Sequence, residues 1–305
     1  MKEKRQMDMT STLKSQDTEE FIDLHFYRPM GYRWALLFAR LGVHPNTVTI
    51  ASMFIGIAAG VCFSFTNIWI NIVGMALLVW ANTYDSADGQ LARMTKRTSA
   101  FGRILDGFCG DVWFVAIYAA ICFRLMPEWG WWIWLLAAVT GFCHSQQAAM
   151  ADYYRNAHLF FLKGEQGSEL SDSQALYEDF KRKKDESFIA RMSAYIYYNY
   201  TKGQEARAKQ FVRLMRVLRR LYPAAISDTF RAAFRAKSLP LMKYANMLSF
   251  NTRVIALFIS LLINIPWLYF VFELTVLNVM FIYMISTHEH FSRQFAYELE
   301  NTTND

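Results

Sequence analysis

Asp85-Ser86-Ala87-Asp88-Gly89-Gln90-Leu91-Ala92-Arg93 and, after a basic link through Lys96 and Arg97, Gly102-Arg103-Ile104-Leu105-Asp106-Gly107-Phe108-Cys109-Gly110-Asp111 form the stretch around which the chain is organised. Four carboxylates fall between two strongly apolar runs. Acids at a membrane boundary are costly unless paired, hydrated or bound to cations. Asp85 and Asp88 are three residues apart, which on a helix puts them roughly 60° apart on one face. A divalent cation converts their repulsion into attraction, and hard oxygen ligands suit magnesium, calcium or manganese. Taken singly, each residue has a plain structural reading: Asp as a cap, Gly or Ala as a packing contact, Arg as a topological charge.

At these spacings the string resembles the signature of the CDP-alcohol phosphotransferase (CDP-alcohol phosphatidyltransferase) family, D-x2-D-G-x2-A-R-x8-G-x3-D-x3-D. Asp85, Asp88, Gly89, Ala92, Arg93, Gly102 and Asp106 occupy seven of its eight fixed positions. The eighth differs: Gly110 stands where the pattern has Asp, and Asp111 follows one residue late. The resemblance implies transfer of a phosphatidyl or phospho-alcohol group from a CDP-linked donor to a hydroxyl, with release of CMP. It implies that Asp85, Asp88 and Asp106 hold Mg2+ or Mn2+. Gly89, Ala92, Arg93 and Gly102 would then bind the CDP-linked donor, and the last aspartate, here Asp111, would be the catalytic base. On a regular helix Asp111 lies roughly 140° from Asp106, against roughly 40° for the expected spacing. A π-bulge at Gly107 and Gly110 would return it to the site, and such a bulge is the expectation here.

The rest of the chain has the composition of a membrane protein. Of its 305 residues 54% are hydrophobic and 16% aromatic, with a formal net charge of +6. The apolar residues gather in runs long enough to span a bilayer. The expected fold is an all-α integral membrane protein with six transmembrane helices near 46–65, 68–88, 103–124, 131–151, 246–265 and 267–286. Lys and Arg crowd the segment before Asn46, the link from Arg93 to Arg103 and the region from Arg155 to Arg253, while the alternate connections carry none. The positive-inside rule then places both termini and the acidic motif on the cytoplasmic side of an inner or cytoplasmic membrane. Met1 to Glu20 lack an apolar core, so no cleaved signal peptide is expected. The four cysteines lack metal-ligand spacing and read as buried thiols.

The domain plan follows. Residues 1–45 form a cytoplasmic N-terminus with an amphipathic interfacial helix over 21–41, broken by Pro29-Met30-Gly31. Residues 46–151 hold four spans and the motif. Residues 152–245 are a basic, helical cytoplasmic insertion, 246–286 the last two spans, and 287–305 a cytoplasmic tail. Within the insertion one helical run begins at Ser171 and continues through Tyr200. A second, over 204–222, carries Phe211, Leu214, Leu218 and Leu221 on one stripe among Arg213, Arg216 and Arg220, suited either to anionic headgroups or to packing within a hairpin or on a dimer partner. Ser227 and Asp228 start a short helix expected to end near Pro240.

His288-Glu289-His290 has a metal-like look, but on a helix its side chains diverge and it is read as incidental. His144-Ser145-Gln146-Gln147 either lines a polar cavity or bonds to neighbouring helices. The expected partners are membrane lipids, the CDP-linked donor, a small polar alcohol or lipid acceptor, and a second copy in a homodimer; nothing points to nucleic acid. Donor and acceptor remain open. CDP-diacylglycerol with inositol phosphate or another polar alcohol leads, against transfer of a CDP-linked headgroup to a diacylglycerol or ceramide hydroxyl, or a catalytically inactive nucleotide-lipid-binding relative. Pyrophosphate-binding prenyltransferases need a second Asp motif, and ion transporters place acids mid-span, often in repeated halves; the sequence has neither feature.

Overall fold

In a computed structural model, which describes residues 15, 17–223 and 225–302, the chain is helical and no strand occurs among the described residues. Residues 1–14, part of the expected N-terminal region, lie outside them. The helices are α1 (Arg28–Arg40), α2 (Pro45–Phe63), α3 (Ile68–Thr95), α4 (Ala100–Trp129), α5 (Trp132–Lys163), α6 (Ser173–Arg182), α7 (Phe188–Arg207), α8 (Lys209–Leu221), α9 (Asp228–Met247), α10 (Phe250–Leu262), α11 (Trp267–Phe272) and α12 (Asn278–Thr302). Among the described residues four stretches are long and apolar enough to cross a membrane: Pro45–Phe63, Phe101–Trp129, Asp228–Leu262 and Trp267–Asn301. The other two expected spans form α3 and α5. Their apolar runs are diluted by Asn71, Asn82 and Asp85 in one and by His144 to Gln147 in the other.

Two compact units result, residues 1–143 with 254–273 and residues 144–253 with 274–305. In the first, α2 packs against α3 and α4 through a small-residue stripe, Ser52, Gly56, Ala59 and Gly60, all buried. Small side chains let helix backbones approach closely. Added β-carbons would stand 3.0 Å from Ala116 at Gly60 and 2.7 Å from the Phe63 ring at Gly74. Trp113 of α4 is buried and donates its indole N–H to the Ser52 carbonyl at 3.1 Å. At the far end of α4, Arg124 donates to the Phe63 carbonyl at 3.3 Å and to the Asn264 side chain at 2.6 Å, so a half-buried cation closes the ends of two helices.

The N-terminal segment differs in detail from its expected form. Pro29 and Gly31 do not interrupt it: a π-helical turn at Asp23–Tyr27 runs directly into α1, and this wider turn stands where Pro29 lacks an N–H. Gly31 is buried against α3, where a β-carbon would lie 2.9 Å from Ser86 Oγ and 3.0 Å from the Ala87 nitrogen. Ala35, Val48 and Leu91 continue this core, with Phe38, Val43 and Tyr84 around it.

In the second unit α8 buries Phe211, Leu214, Met215, Val217 and Leu218, and packs on α12. No side chain caps α8 locally. Glu289 of α12 does so instead, accepting the N–H groups of Gln210 at 2.7 Å and Phe211 at 3.2 Å. His288 is buried and stacked on Tyr154, with ring centroids 3.8 Å apart, while His290 is exposed; the His-Glu-His string thus serves packing and capping. Gln147 bonds to Asn278 at 2.8 Å and to buried Arg253 at 2.7 Å, the neighbouring-helix reading of its polar cluster. The run expected from Ser171 through Tyr200 is two helices, α6 and α7, joined by a 3-10 turn at Lys183–Asp185. Ser227 caps α9 as expected, but α9 continues through Pro240 to Met247.

Candidate active site

The motif is built on α3 and the first half of α4. His44 accepts the Asn46 N–H through its ring at 3.2 Å and so opens α2, while Ser99 accepts the Gly102 N–H at 2.9 Å and opens α4. A β-carbon at Gly102 would meet Ser99 Oγ at 3.0 Å and Asn46 Oδ1 at 3.3 Å. Gly102 thus lets the start of α4 approach the start of α2, a packing reason for glycine there.

Asp85 and Asp88 stand on one face of α3, and α4 brings Asp106 to them. One carboxylate oxygen from each lies within 4.8 Å of the others, and these three form the one such group of possible metal-binding side chains among the described residues. Asp85 and Asp106 stand close together, and Thr49 of α2 and the Gly89 N–H stand beside Asp88. Asp88 is 4% exposed, and its Oδ2 has no hydrogen-bond partner. A buried carboxylate oxygen left unmatched costs several kcal/mol. The donor set therefore fits a hard divalent cation: three converging carboxylates, one with an unmatched buried oxygen.

Positive charge stands alongside. Arg93, one turn beyond Gly89, feels the charges of Arg28, Glu19, Asp88 and Asp106. Its Nε and Nη2 are buried without acceptors. Arg28 is held by Glu19 at 2.8 Å, and the Arg28 carbonyl accepts from Gln90 of α3 at 3.1 Å. The end of α3 and the start of α4 thus bring together three acids and a guanidinium with unmatched donors. Beside Gly89 the nearest atoms to an added β-carbon are those of Arg93, at 3.6 Å. Around Gly107 and Gly110 there is open space. Ala92 lies on α3, half-buried, next to Arg93.

Asp111 is not brought to the cluster as the sequence suggested. No bulge interrupts α4, which is α-helical from Ala100 to Trp129, and Asp111 is exposed. The regular helix turns it away from Asp106. The two glycines permit a distortion, but helix packing through Trp113 and Ala116 needs a regular α4 just beyond them. Thr49, Gln90 and Arg28 were not assigned to the site from the sequence. A threonine early in an apolar run was the available signal for the first, and long-range packing, invisible in a linear pattern, places the other two.

Comparison with known proteins agrees with the geometry. Residues 42–157, which contain the whole motif, match the CDP-alcohol phosphatidyltransferase family model. Over 97 residues the chain is 29% identical to the bifunctional IPC transferase and DIPP synthase of Aquifex aeolicus (strain VF5), an alignment that covers 32% of this chain and 22% of that protein. This chain thus matches about a fifth of that relative's length. No solved structure matches it. The acidic cluster and the adjoining arginine both lie within residues 42–157, the region that matches the CDP-alcohol phosphatidyltransferase family model.

Proposed function

We propose that this protein transfers a phosphatidyl group from CDP-diacylglycerol to the hydroxyl of a polar alcohol such as inositol phosphate, releasing CMP, and that it does so with Mg2+ or Mn2+ held by Asp85, Asp88 and Asp106. The observation that carries this reading is the convergence of those carboxylates within 4.8 Å beside a guanidinium with unmatched donors. A bound divalent ion supplies charge neutralisation at the pyrophosphate and polarises the attacked phosphorus.

The chain's own residues do the remaining work. Arg93 binds phosphate oxygens through its buried donors, and Gly89 leaves the α3 backbone open to the nucleotide. The acceptor oxygen forms a bond to the phosphorus that carries diacylglycerol. The bond from that phosphorus to the CMP oxygen breaks, and CMP departs with its own phosphate. Loose phosphoryl-transfer transition states ask little of a base until late. Asp106, exposed and within the cluster, is assigned to receive the acceptor's proton, in place of Asp111. A multi-pass protein of six spans, with its site and termini cytoplasmic, agrees with the distribution of Lys and Arg.

The purified chain in mixed micelles, supplied with CDP-diacylglycerol, Mg2+ and a panel of polar alcohols, should release CMP with one acceptor of the panel and not without it. CMP release dependent instead on diacylglycerol and a CDP-linked headgroup would reverse donor and acceptor. No release with either set would remove the catalytic reading.

A further inference from the structure

The α6–α7 hairpin pairs aromatic rings between its two helices and still presents an apolar stripe outward. Tyr177 of α6 packs on Tyr198 of α7 at 5.2 Å between ring centroids, and Phe180 packs on Tyr195 at 5.5 Å. On the outward side Phe188, Met192, Tyr195 and Ile196 are 76%, 41%, 48% and 47% exposed. Their spacing, i, i+4, i+7 and i+8, makes one continuous stripe along α7. Scattered exposed apolar residues are ordinary on a protein surface, whereas a contiguous stripe marks a surface that meets something.

The charges around it identify the occupant. From Phe188 to Leu221 there are eight Lys and Arg residues against the single acid Glu205. All eight are exposed. Arg213 pairs with Glu300 and Arg219 with Asp172. The apolar side of α8 is already buried on α12, so what α8 turns outward is its basic side. That same α12 belongs to Trp267–Asn301, a stretch long and apolar enough to cross a membrane. Aromatic and aliphatic side chains flanked by Lys and Arg have the composition of a helix lying in a lipid headgroup layer.

We propose that the outer stripe of α7 seats in the interface of an anionic lipid bilayer. Phe188, Met192 and Ile196 enter the acyl boundary, the Tyr195 ring lies at headgroup level, and Arg191 and Lys202 meet the phosphates. Helix α7 is then a lipid-reading element separate from the acidic site, and this assignment does not depend on the reaction catalysed there.

The unaltered full-length chain would be reconstituted in vesicles doped with either a diazirine-bearing phosphatidylglycerol or a diazirine-bearing phosphatidylcholine, photolysed, and mapped by mass spectrometry. Lipid adducts are expected on the peptide holding Phe188 to Ile196, in greater yield with the anionic probe, with that excess lost at high salt. An Arg191→Gln/Lys202→Gln variant should keep the adducts and lose the anionic excess. Absence of adducts from this peptide while the apolar spans are labelled would overturn the proposal. Cross-links from it to a second copy, without lipid adducts, would overturn it in favour of a protein partner, and equal yields from the two probes would overturn the charge selectivity.

Discussion

The indole of Trp113 lies directly over Gly56: a β-carbon built on the glycine would stand 2.2 Å from the tryptophan's Cδ1. This contact sets the separation of α2 and α4. Two turns earlier on each helix stand Thr49 and Asp106, both beside Asp88, so packing in the apolar layer fixes the spacing of the acidic site above it. Gly56→Val would force the helices apart and should destabilise the chain by about 1–3 kcal/mol, as overpacked cores do. Thermal unfolding in detergent should show a lowered midpoint, and Trp113→Ala in the same chain should restore part of it. An unchanged midpoint would mean that the helix pair yields freely there.

Glu289 is a carboxylate on α12 that performs a cap's work for α8. Glu289→Ala should leave the Gln210 and Phe211 N–H groups without acceptors, at a cost of about 0.5–2 kcal/mol. Faster hydrogen exchange is expected in the first turn of α8, with α3 and α4 unaffected.

A pH effect is expected at the start of α6. Burial alone would raise the Asp172 carboxyl; hydrogen bonds from Arg219 and from the Gln174 and Ala175 N–H groups outweigh it and hold Asp172 below the usual carboxylate range. Its folded-state value is therefore the lower one. The stabilisation is complete above the unfolded value of about 4 and is lost as pH falls through the native value. Limited proteolysis within 168–187 should accelerate below about pH 4 in the parent chain. In Asp172→Asn, that acid-dependent part of the change should be absent.

Asp111→Asn tests the regular helix. Because α4 carries Asp111 away from the cluster, the substitution should leave Mn2+ affinity unchanged and CMP release within a few-fold of the parent. A loss of turnover by orders of magnitude at unchanged metal affinity would mean that α4 rewinds at Gly107 and Gly110 when substrates bind.

Helices and the acidic cluster were legible in the sequence because both are local. Apolar runs long enough to span a bilayer mark α2 and α4, and fixed spacing puts Asp85 and Asp88 on one face. The match through Asp106 needed only two helices joined by a short link. What escaped was decided by packing between residues far apart in the chain. Gly31 reads as a breaker until Ser86 is seen against it, and Pro240 reads as a stop although α9 continues past it. Glu289 reads as part of an incidental string, yet it caps a helix whose start lies nearly eighty residues away. The bulge expected before Asp111 was inferred from chemistry that the site would need, whereas the backbone follows what α4 must pack against.

The most direct measurement is Mn2+ binding, followed by the paramagnetic signal of the free ion, in parallel with CMP release, on the parent chain and on Asp88→Asn. The substitution keeps the side chain's shape and removes its charge. If Asp85, Asp88 and Asp106 form the metal site, the parent binds Mn2+, and Asp88→Asn loses binding and CMP release together, by orders of magnitude. Parent-like CMP release by Asp88→Asn at low magnesium, with Mn2+ binding intact, would contradict the account.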